Sequence, residues 1–295
     1  MAYRDEAVTV VVPTHGRPRL LERSLASVLA QTTRAHTIVV VDDLDDPATR
    51  EVVERIAANS IERVKYVASL TLAGSASRSR NVGLAMVETP LVAFLDDDDE
   101  WLPGFLASTA ARLGAGVDLA VSHTVLRTSL GDRPFMRLSE GLLWTMCLGN
   151  NPGLTGSNFV AQTAQLIALD GFDETLLVAE DQDLLVRYLA QGGHYRVLSE
   201  DCVIQHAGSG EHLSSPGARQ VEGLRSFLDK YRDVSSIRDR RYLRAMWHAA
   251  SIYPGVSRRA RVYHRIMQLM NLPLDVFIGR VAARLRNEPS SDAYK

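Results

Sequence analysis

Along the first 115 residues, short apolar runs alternate with stretches whose apolar positions recur at helical spacing. Val8–Val12 is an unbroken β-branched run closed by Pro13, the pattern of a strand covered on both faces. Pro18 sits where a first helical turn tolerates it, and Leu21, Leu25, Val28 and Leu29 follow at helical spacing. The first unit therefore reads strand, loop (Thr14–Arg17), helix. The same grammar predicts strands at Ile38–Val41, Val64–Val67 and Leu91–Leu95. Between and after them it predicts helices from Pro47 to about Ala58, from Ser75 to Val87, and from Pro103 to near Gly114.

Strands alternating with helices imply an α/β fold with a mostly parallel sheet, right-handed crossovers and helices on its faces. Ligands of such sheets bind beyond the carboxyl ends of the strands. Thr14–Arg17, Asp42-Asp43 and Asp96–Asp99 all follow predicted strands, so three polar clusters are expected on one rim.

After Gly116 the pattern changes. Leu119–Leu126 predicts a strand, Gly131-Asp132-Arg133-Pro134 a turn, Asn150–Asn158 a loop, and Gly171-Phe172-Asp173-Glu174 another turn. Asp181 to Gln191 predicts a helix stopped by Gly192-Gly193, with short strands at Tyr195–Leu198 and Cys202–Gln205. From Pro216 onward the chain is helical and more basic, with helical patterns over 217–231, 237–251, 257–271 and 273–286. The expected organisation is a domain over 1–215, in halves 1–115 and 116–215, and a C-terminal helical extension over 216–295.

Composition narrows the function. The net charge of −2 over 295 residues gives no general attraction to nucleic acid, so no nucleic-acid partner is expected. Cys147 and Cys202 are too few for a disulfide framework or a four-cysteine zinc site and read as small core residues. Met1–Ala7 has no signal-peptide character, and no run approaches the roughly 20 apolar residues that span a bilayer, so a cytoplasmic protein is expected.

The chemistry resides in five clusters. Four adjacent carboxylates at Asp96–Asp99 repel one another, and a hard divalent cation relieves that; Mg²⁺ or Mn²⁺ binds through one or two carboxylates plus substrate phosphates. An Asp at 42 or 43 can accept the imide N–H of a pyrimidine base, and equally can open the Pro47 helix. Gly74 to Asn81 brings small residues, Arg78 and Arg80 to a helix start, a setting that favours phosphate. Glu180-Asp181-Gln182-Asp183 suits a helix dipole and also offers a general base. His206, with His212 beyond, is a candidate third metal ligand.

Taken in order, these pieces resemble glycosyltransferase family 2, with its GT-A fold. The matching residues are Pro13-Thr14-His15-Gly16-Arg17, Asp42-Asp43, Ser79-Arg80-Asn81, Asp96-Asp97-Asp98-Asp99 with Trp101, Gly171-Phe172-Asp173-Glu174 and Glu180-Asp181-Gln182-Asp183, across roughly 8–212. The resemblance implies a nucleotide-sugar-binding half over 1–115 and an acceptor half over 116–215. It implies that Asp43 binds the base, with Pro13, Thr14 and Arg17 lining the nucleotide pocket, and Arg80, Asp96 and Asp97 near the nucleotide and diphosphate. Asp96 and Asp98 match the Asp-x-Asp metal motif, Asp98 as direct ligand, though four consecutive Asp leave the register open. Asp181 matches the catalytic base of inverting members. The Gln-x-x-Arg-Trp motif of processive synthases is missing after Asp183, which implies transfer of single sugars.

The expected activity is thus inverting, hexosyltransferase-type transfer from a UDP- or dTDP-linked sugar to a hydroxyl of a glycan, lipid or small natural product. A sugar nucleotidyltransferase is the rival enzyme; Thr14-His15-Gly16-Arg17 is a poor version of its Gly-rich basic loop. A non-catalytic nucleotide-sugar- or carbohydrate-binding protein would not need both Asp181 and the Asp cluster. No Gly-x-x-x-x-Gly-Lys-Ser/Thr is present, which argues against a P-loop kinase. In the C-terminal region, Arg258, Arg259, Arg261 and Arg265 accompany Val262, Ile266, Leu269 and Met270, and Arg280, Arg284 and Arg286 accompany Val276, Phe277, Val281 and Leu285. Such helices pack on a neighbouring domain, form a homodimer, or lie peripherally on an anionic membrane.

Overall fold

A computed structural model describes residues 7–69, 74–207 and 217–278. It contains two compact units. The first comprises residues 1–144, 152–174 and 180–209, and the second residues 145–151, 175–179 and 210–295.

In the first unit, β1 (Val8–Thr14), α1 (Pro18–Leu29), β2 (Thr37–Asp42), α2 (Pro47–Asn59), β3 (Arg63–Ala68), α3 (Ala76–Leu84) and β4 (Leu91–Phe94) follow the predicted alternation. Every residue of β1, β2 and β4 is buried, as unbroken apolar runs require when helices cover both faces. The order β3-β2-β1-β4 is parallel throughout. α3 lies against β1 because Gly83 has no side chain: a Cβ there would stand 2.2 Å from Val11 Cγ1.

β5 (Glu100–Trp101), α4 (Phe105–Ala110), β6 (Leu119–Thr128), β7 (Gly131–Pro134), β8 (Phe159–Gln162), α5 (Thr163–Ala168), α6 (Glu180–Ala190) and β9 (Tyr195–His206) complete the unit. The nine strands form one mixed sheet, ordered β3-β2-β1-β4-β8-β6-β9-β5, with β7 on β6. β8 is antiparallel to both β4 and β6, so the start of β8 lies at the edge where β4 ends. The α/β class with a largely parallel core is as expected.

Several elements differ from the sequence reading. The predicted turn Gly131–Pro134 is a strand that pairs back onto β6. The two short strands predicted at Tyr195–Leu198 and Cys202–Gln205 are one twelve-residue strand, because register shifts against β6 around His123 absorb the polar residues between them. β8 and α5 were not foreseen: four strand residues running straight into a helix give neither period room to show. α4 begins at Phe105, two residues after Pro103. Cys147 and Cys202 are buried thiols.

The second unit carries α7 (Ala218–Lys230), α8 (Ile237–Ala250) and α9 (Arg258–Asn271), close to the predicted helices. Of the pattern predicted over 273–286, residues 274–278 are helical, and the remainder, including Arg280, Arg284 and Arg286, lies outside the described residues. The boundary near 216 and His212 lie outside them too. No helix among the described residues is long and apolar enough to cross a membrane.

Candidate active site

The carboxyl ends of β1, β2 and β4 and the start of β8 meet on one rim, and the acidic loop after β4 occupies its centre. α1 and Gln31 just beyond it fix that loop and the residues after it through a polar stripe. Arg23 Nη2 donates to the Asp98 carbonyl (2.7 Å), Ser24 Oγ to the Asp96 carbonyl (3.2 Å), and Gln31 Nε2 to the Leu102 carbonyl (2.9 Å). Ser27 Oγ accepts the Trp101 N–H (3.0 Å), and Gln31 Oε1 the Leu106 N–H. Trp101 stacks on Phe105 with ring centroids 4.3 Å apart and donates its indole N–H to the Ser157 carbonyl.

The four aspartates divide in two. Asp97 is fully buried, with one oxygen on Thr14 Oγ1 (2.7 Å) and Arg17 Nε (3.1 Å) and the other on Arg17 Nη2. Asp99 is buried too, held by Gln205 Nε2 (3.2 Å). Burial, outweighing the neighbouring Arg17, pushes the Asp97 carboxyl up to about 6. Burial, then the charges of Asp98 and Asp96, raises Asp99 well above the usual range. Asp96 and Asp98 keep side-chain exposures of 28% and 15%. Asp98 accepts from Arg17 Nη1 (3.2 Å), and Asp96 accepts from Arg80 Nη2 (2.6 Å). Alternate residues of the loop thus point inward and outward, which leaves Asp96 and Asp98 more accessible than Asp97 and Asp99.

Arg80, on α3, is the hub. Its side chain is 4% exposed, one arm on Asp96 and the other on Glu180 Oε1 (2.9 Å), above the Phe172 ring. Burial works against its charge, and Asp96 and Glu180 outweigh that. Gly156 makes room: a Cβ there would lie 2.2 Å from Arg80 Nη2 and 3.0 Å from Asp96 Oδ2. Ser157 Oγ accepts the Asp96 N–H (3.0 Å). The Gly171-Phe172 turn is clamped by Asn81, which accepts the Phe172 N–H and donates to its carbonyl, both at 2.8 Å.

At the start of α6, Asp183 is fully buried against Arg187 Nε (2.7 Å), whose other nitrogens hold the Leu169 and Gly171 carbonyls. Asp181 accepts the Gln182 N–H (2.7 Å). Burial first, then the charge of Glu180, pushes its carboxyl up to about 7, against the pull of Arg80.

At the far side of the rim, Asp42 is a structural residue. It accepts the Leu44 and Asp46 N–H groups and the Tyr66 hydroxyl (2.7 Å). Asp43 accepts from His15 Nδ1 at 2.6 Å, and burial raises its carboxyl although His15 opposes this. The His15 side chain is 56% exposed, with Gly74 beside the pair. Pro13 is buried within β1 opposite Val41.

His206 rests on Glu100. The Glu100↔Ile204 register brings the end of β9 beside the loop, where His206 Nε2 meets Glu100 at 2.5 Å and Arg23 shares that carboxylate. Among the described residues, no three His, Cys, Asp or Glu side chains are grouped to hold a metal. A divalent ion here would take one or two protein carboxylates and complete its shell from the substrate, which hard-oxygen Mg²⁺ and Mn²⁺ tolerate. Sequence reasoning gave no individual role to His15, Glu180, Gly156 or Ser157, which it carried only inside longer motifs or, for Gly156 and Ser157, inside the Asn150–Asn158 loop expected to shape the acceptor pocket. The Glu before Asp181 was a usable signal; the distant glycine and serine offered none.

The profile of Glycosyl transferase family 2 matches residues 9–163, more than half of the chain. The chain belongs to that family. It is 32% identical over 109 residues to the GalNAc(5)-diNAcBac-PP-undecaprenol beta-1,3-glucosyltransferase of Campylobacter jejuni, a match covering 37% of this chain and 35% of that protein. It is 28% identical to the succinoglycan biosynthesis protein ExoU of Rhizobium meliloti, over 75% of this chain and 69% of ExoU. The fold matches S. aureus TarS 1-349 in complex with UDP-GlcNAc, with a TM-score of 0.62, 19% identity, and coverage of 96% and 92%. The family 2 glycosyltransferase and its GT-A fold are therefore as the residues implied, and the protein is a transferase.

Proposed function

We propose that the chain moves one sugar from a UDP- or dTDP-linked donor to an acceptor hydroxyl with inversion, Asp181 acting as general base. The observation that carries this reading is the Arg80 fork. By gripping Asp96 and Glu180 at once, it ties the acidic loop to the first turn of α6, so that the diphosphate end of the donor and the base share one scaffold. Asp181 takes the proton from the acceptor hydroxyl as that oxygen attacks the anomeric carbon. The C–O bond to the diphosphate breaks, and the nucleoside diphosphate leaves with the electron pair. A carboxyl near 7 suits this, being ionised in part at neutral pH yet basic enough to hold a proton.

In this reading Asp43, which accepts from His15, takes the base imide, and Thr14 and Arg17, both braced by Asp97, line the nucleotide pocket. Asp98 and Asp96 would hold Mg²⁺ or Mn²⁺, which when bound neutralises charge on the diphosphate. The TarS complex with UDP-GlcNAc supports a uridine donor, and the Campylobacter relative supports a glycan carried on a lipid diphosphate as acceptor. A cytoplasmic site of action goes with this reading, since nucleotide sugars are the donor.

The test is turnover of UDP- and dTDP-sugars by the purified chain with Mn²⁺, reading the nucleotide product and the anomeric configuration of the glycoside. Release of nucleoside diphosphate with an inverted product is expected. Pyrophosphate as product would establish a nucleotidyltransferase instead, a retained configuration would remove the single displacement, and full activity in excess EDTA would remove the metal.

A further inference from the structure

Helix α9 has two unlike faces. His264 and Gln268 turn toward α8, His264 Nδ1 lying 3.0 Å from His248 Nδ1, and Arg241 of α8 donates to the Met270 carbonyl. On the other side, Val262, Ile266, Leu269 and Met270 recur at i, i+4, i+7 and i+8 and are each more than half exposed, with Tyr263 beside them. The apolar exposure continues past Pro273 in Leu274, Phe277 and Ile278. Arg258, Arg261 and Arg265 follow one edge of the stripe at i, i+3 and i+7, and Arg259 stands at its beginning. α9 contains no acidic residue.

The charge is lopsided beyond this helix. From Ile237 to Ile278 there are eight arginines against Asp239 and Asp275, within a chain whose net charge is −2. Both acids are engaged: Asp275 on Arg238, and Asp239 on the Ser236 hydroxyl and N-terminal turn of α8. None of the four α9 arginines forms an ion pair with a described residue.

We propose that this face of α9 docks on an anionic lipid bilayer, the apolar stripe entering the headgroup boundary and the arginines meeting lipid phosphates. A stripe of large apolar side chains edged by unpaired arginines has the chemistry of an interfacial helix. A second copy of the chain fits the face poorly. In a two-fold interface the same patch meets itself, so these arginines would face one another with no carboxylate between them. The inference does not depend on the identity of donor or base.

The experiment is co-sedimentation of the full chain with phosphatidylcholine vesicles containing about one-third phosphatidylglycerol, and with phosphatidylcholine alone. Binding to the anionic vesicles is expected to be at least about tenfold tighter and to weaken steeply toward about 0.5 M salt. The triple variant Arg258→Glu, Arg261→Glu, Arg265→Glu should lose at least about tenfold, and Ile266→Ser with Leu269→Ser should also weaken binding. All five positions are exposed, and unchanged helix content by circular dichroism confirms folding. Three results would overturn the proposal: no binding to anionic vesicles, equal binding to both kinds, or wild-type binding by the triple variant. A concentration-dependent dimer abolished by Ile266→Ser, without vesicle binding, would assign the face to self-association. Binding to polyglutamate but not to vesicles would assign it to an acidic protein.

Discussion

Two acidic segments face the same rim and are built in opposite ways. In the loop after β4 each carboxylate is wired to a side chain of another element: Asp96 to Arg80, Asp97 to Thr14 and Arg17, Asp98 to Arg17, Asp99 to Gln205. At the start of α6 the flanking carboxylates are equally wired, Glu180 to Arg80 and Asp183 to Arg187. Between them Asp181 accepts only a backbone N–H among the described contacts. The difference separates two tasks. A group that anchors a loop must not move, so it is held by fixed donors from other elements. A group that carries a proton must exchange it, so it is left in a poorly solvated place with one weak tie.

The sharpest way to break that comparison is Asp181→Asn. If Asp181 is the base, kcat falls about 10²–10⁴-fold while the donor KM changes little, read from nucleoside diphosphate release. In the unaltered enzyme, kcat/KM should rise with pH through about 7 as Asp181 loses its proton, and that limb should vanish in the variant. Stability runs the other way. The folded carboxyl is raised above its unfolded value of 3.8, so the fold is favoured below about 4, and this contribution is lost as pH rises to about 7. Asp181→Asn should therefore stabilise the protein at pH 8, by about 2–4 °C in Tm, and not at pH 4. An inactive variant that is also less stable at pH 8 would show that Asp181 is structural.

The Arg80 fork is next. Arg80→Ala leaves Asp96 and Glu180 without their cation and should cost about 3–5 kcal/mol of stability in denaturant unfolding, with activity falling about a hundredfold. Gly156→Ala separates the two effects. The new methyl would meet Arg80 Nη2 at 2.2 Å, so the guanidinium must move while its charge stays. Loss of about tenfold in kcat with a nearly unchanged melting transition is expected. Full activity in Gly156→Ala would mean that the position of the fork is immaterial. On the donor side, His15→Ala removes a partner of Asp43 that is more than half exposed; the donor KM should rise about three- to tenfold with kcat retained.

Much of this architecture was legible because it follows from local rules. Doubly buried strands read as unbroken apolar runs, and their ends fix where ligands bind, so Thr14, Asp43 and Asp96–Asp99 could be placed on one rim from sequence. What stayed hidden depends on distant pairing. Nothing near Gly156 announces that Arg80 will lie against it, because the antiparallel entry of β8 brings them together. Four identical residues at 96–99 carry no register, and the alternate facing that leaves 96 and 98 more exposed than 97 and 99 appears only in the folded loop. Likewise Glu180 and Asp183 looked interchangeable with Asp181 as helix-start acids, and their arginine partners alone set them apart.

The smallest effect tests the edge of the loop. His206 was a reasonable third ligand, since the β5–β9 ladder carries it to the right edge, yet its imidazole rests on Glu100, which Arg23 also holds. That contact ties β9 to the loop backbone, because the same Arg23 grips the Asp98 carbonyl. If His206 only braces the loop, His206→Ala should change the Mn²⁺ concentration for half-maximal activity by less than about threefold, as expected when the ion's shell is carboxylate and phosphate oxygen. Glu100→Gln, which weakens the His206 contact and the Arg23 ion pair together, should likewise shift that concentration by less than about threefold. A loss of metal affinity in His206→Ala alone, tenfold or more by metal titration, would mean that the imidazole leaves Glu100 for the cation. The acidic loop would then depend on a mobile ligand, and its contrast with the start of α6 would no longer hold.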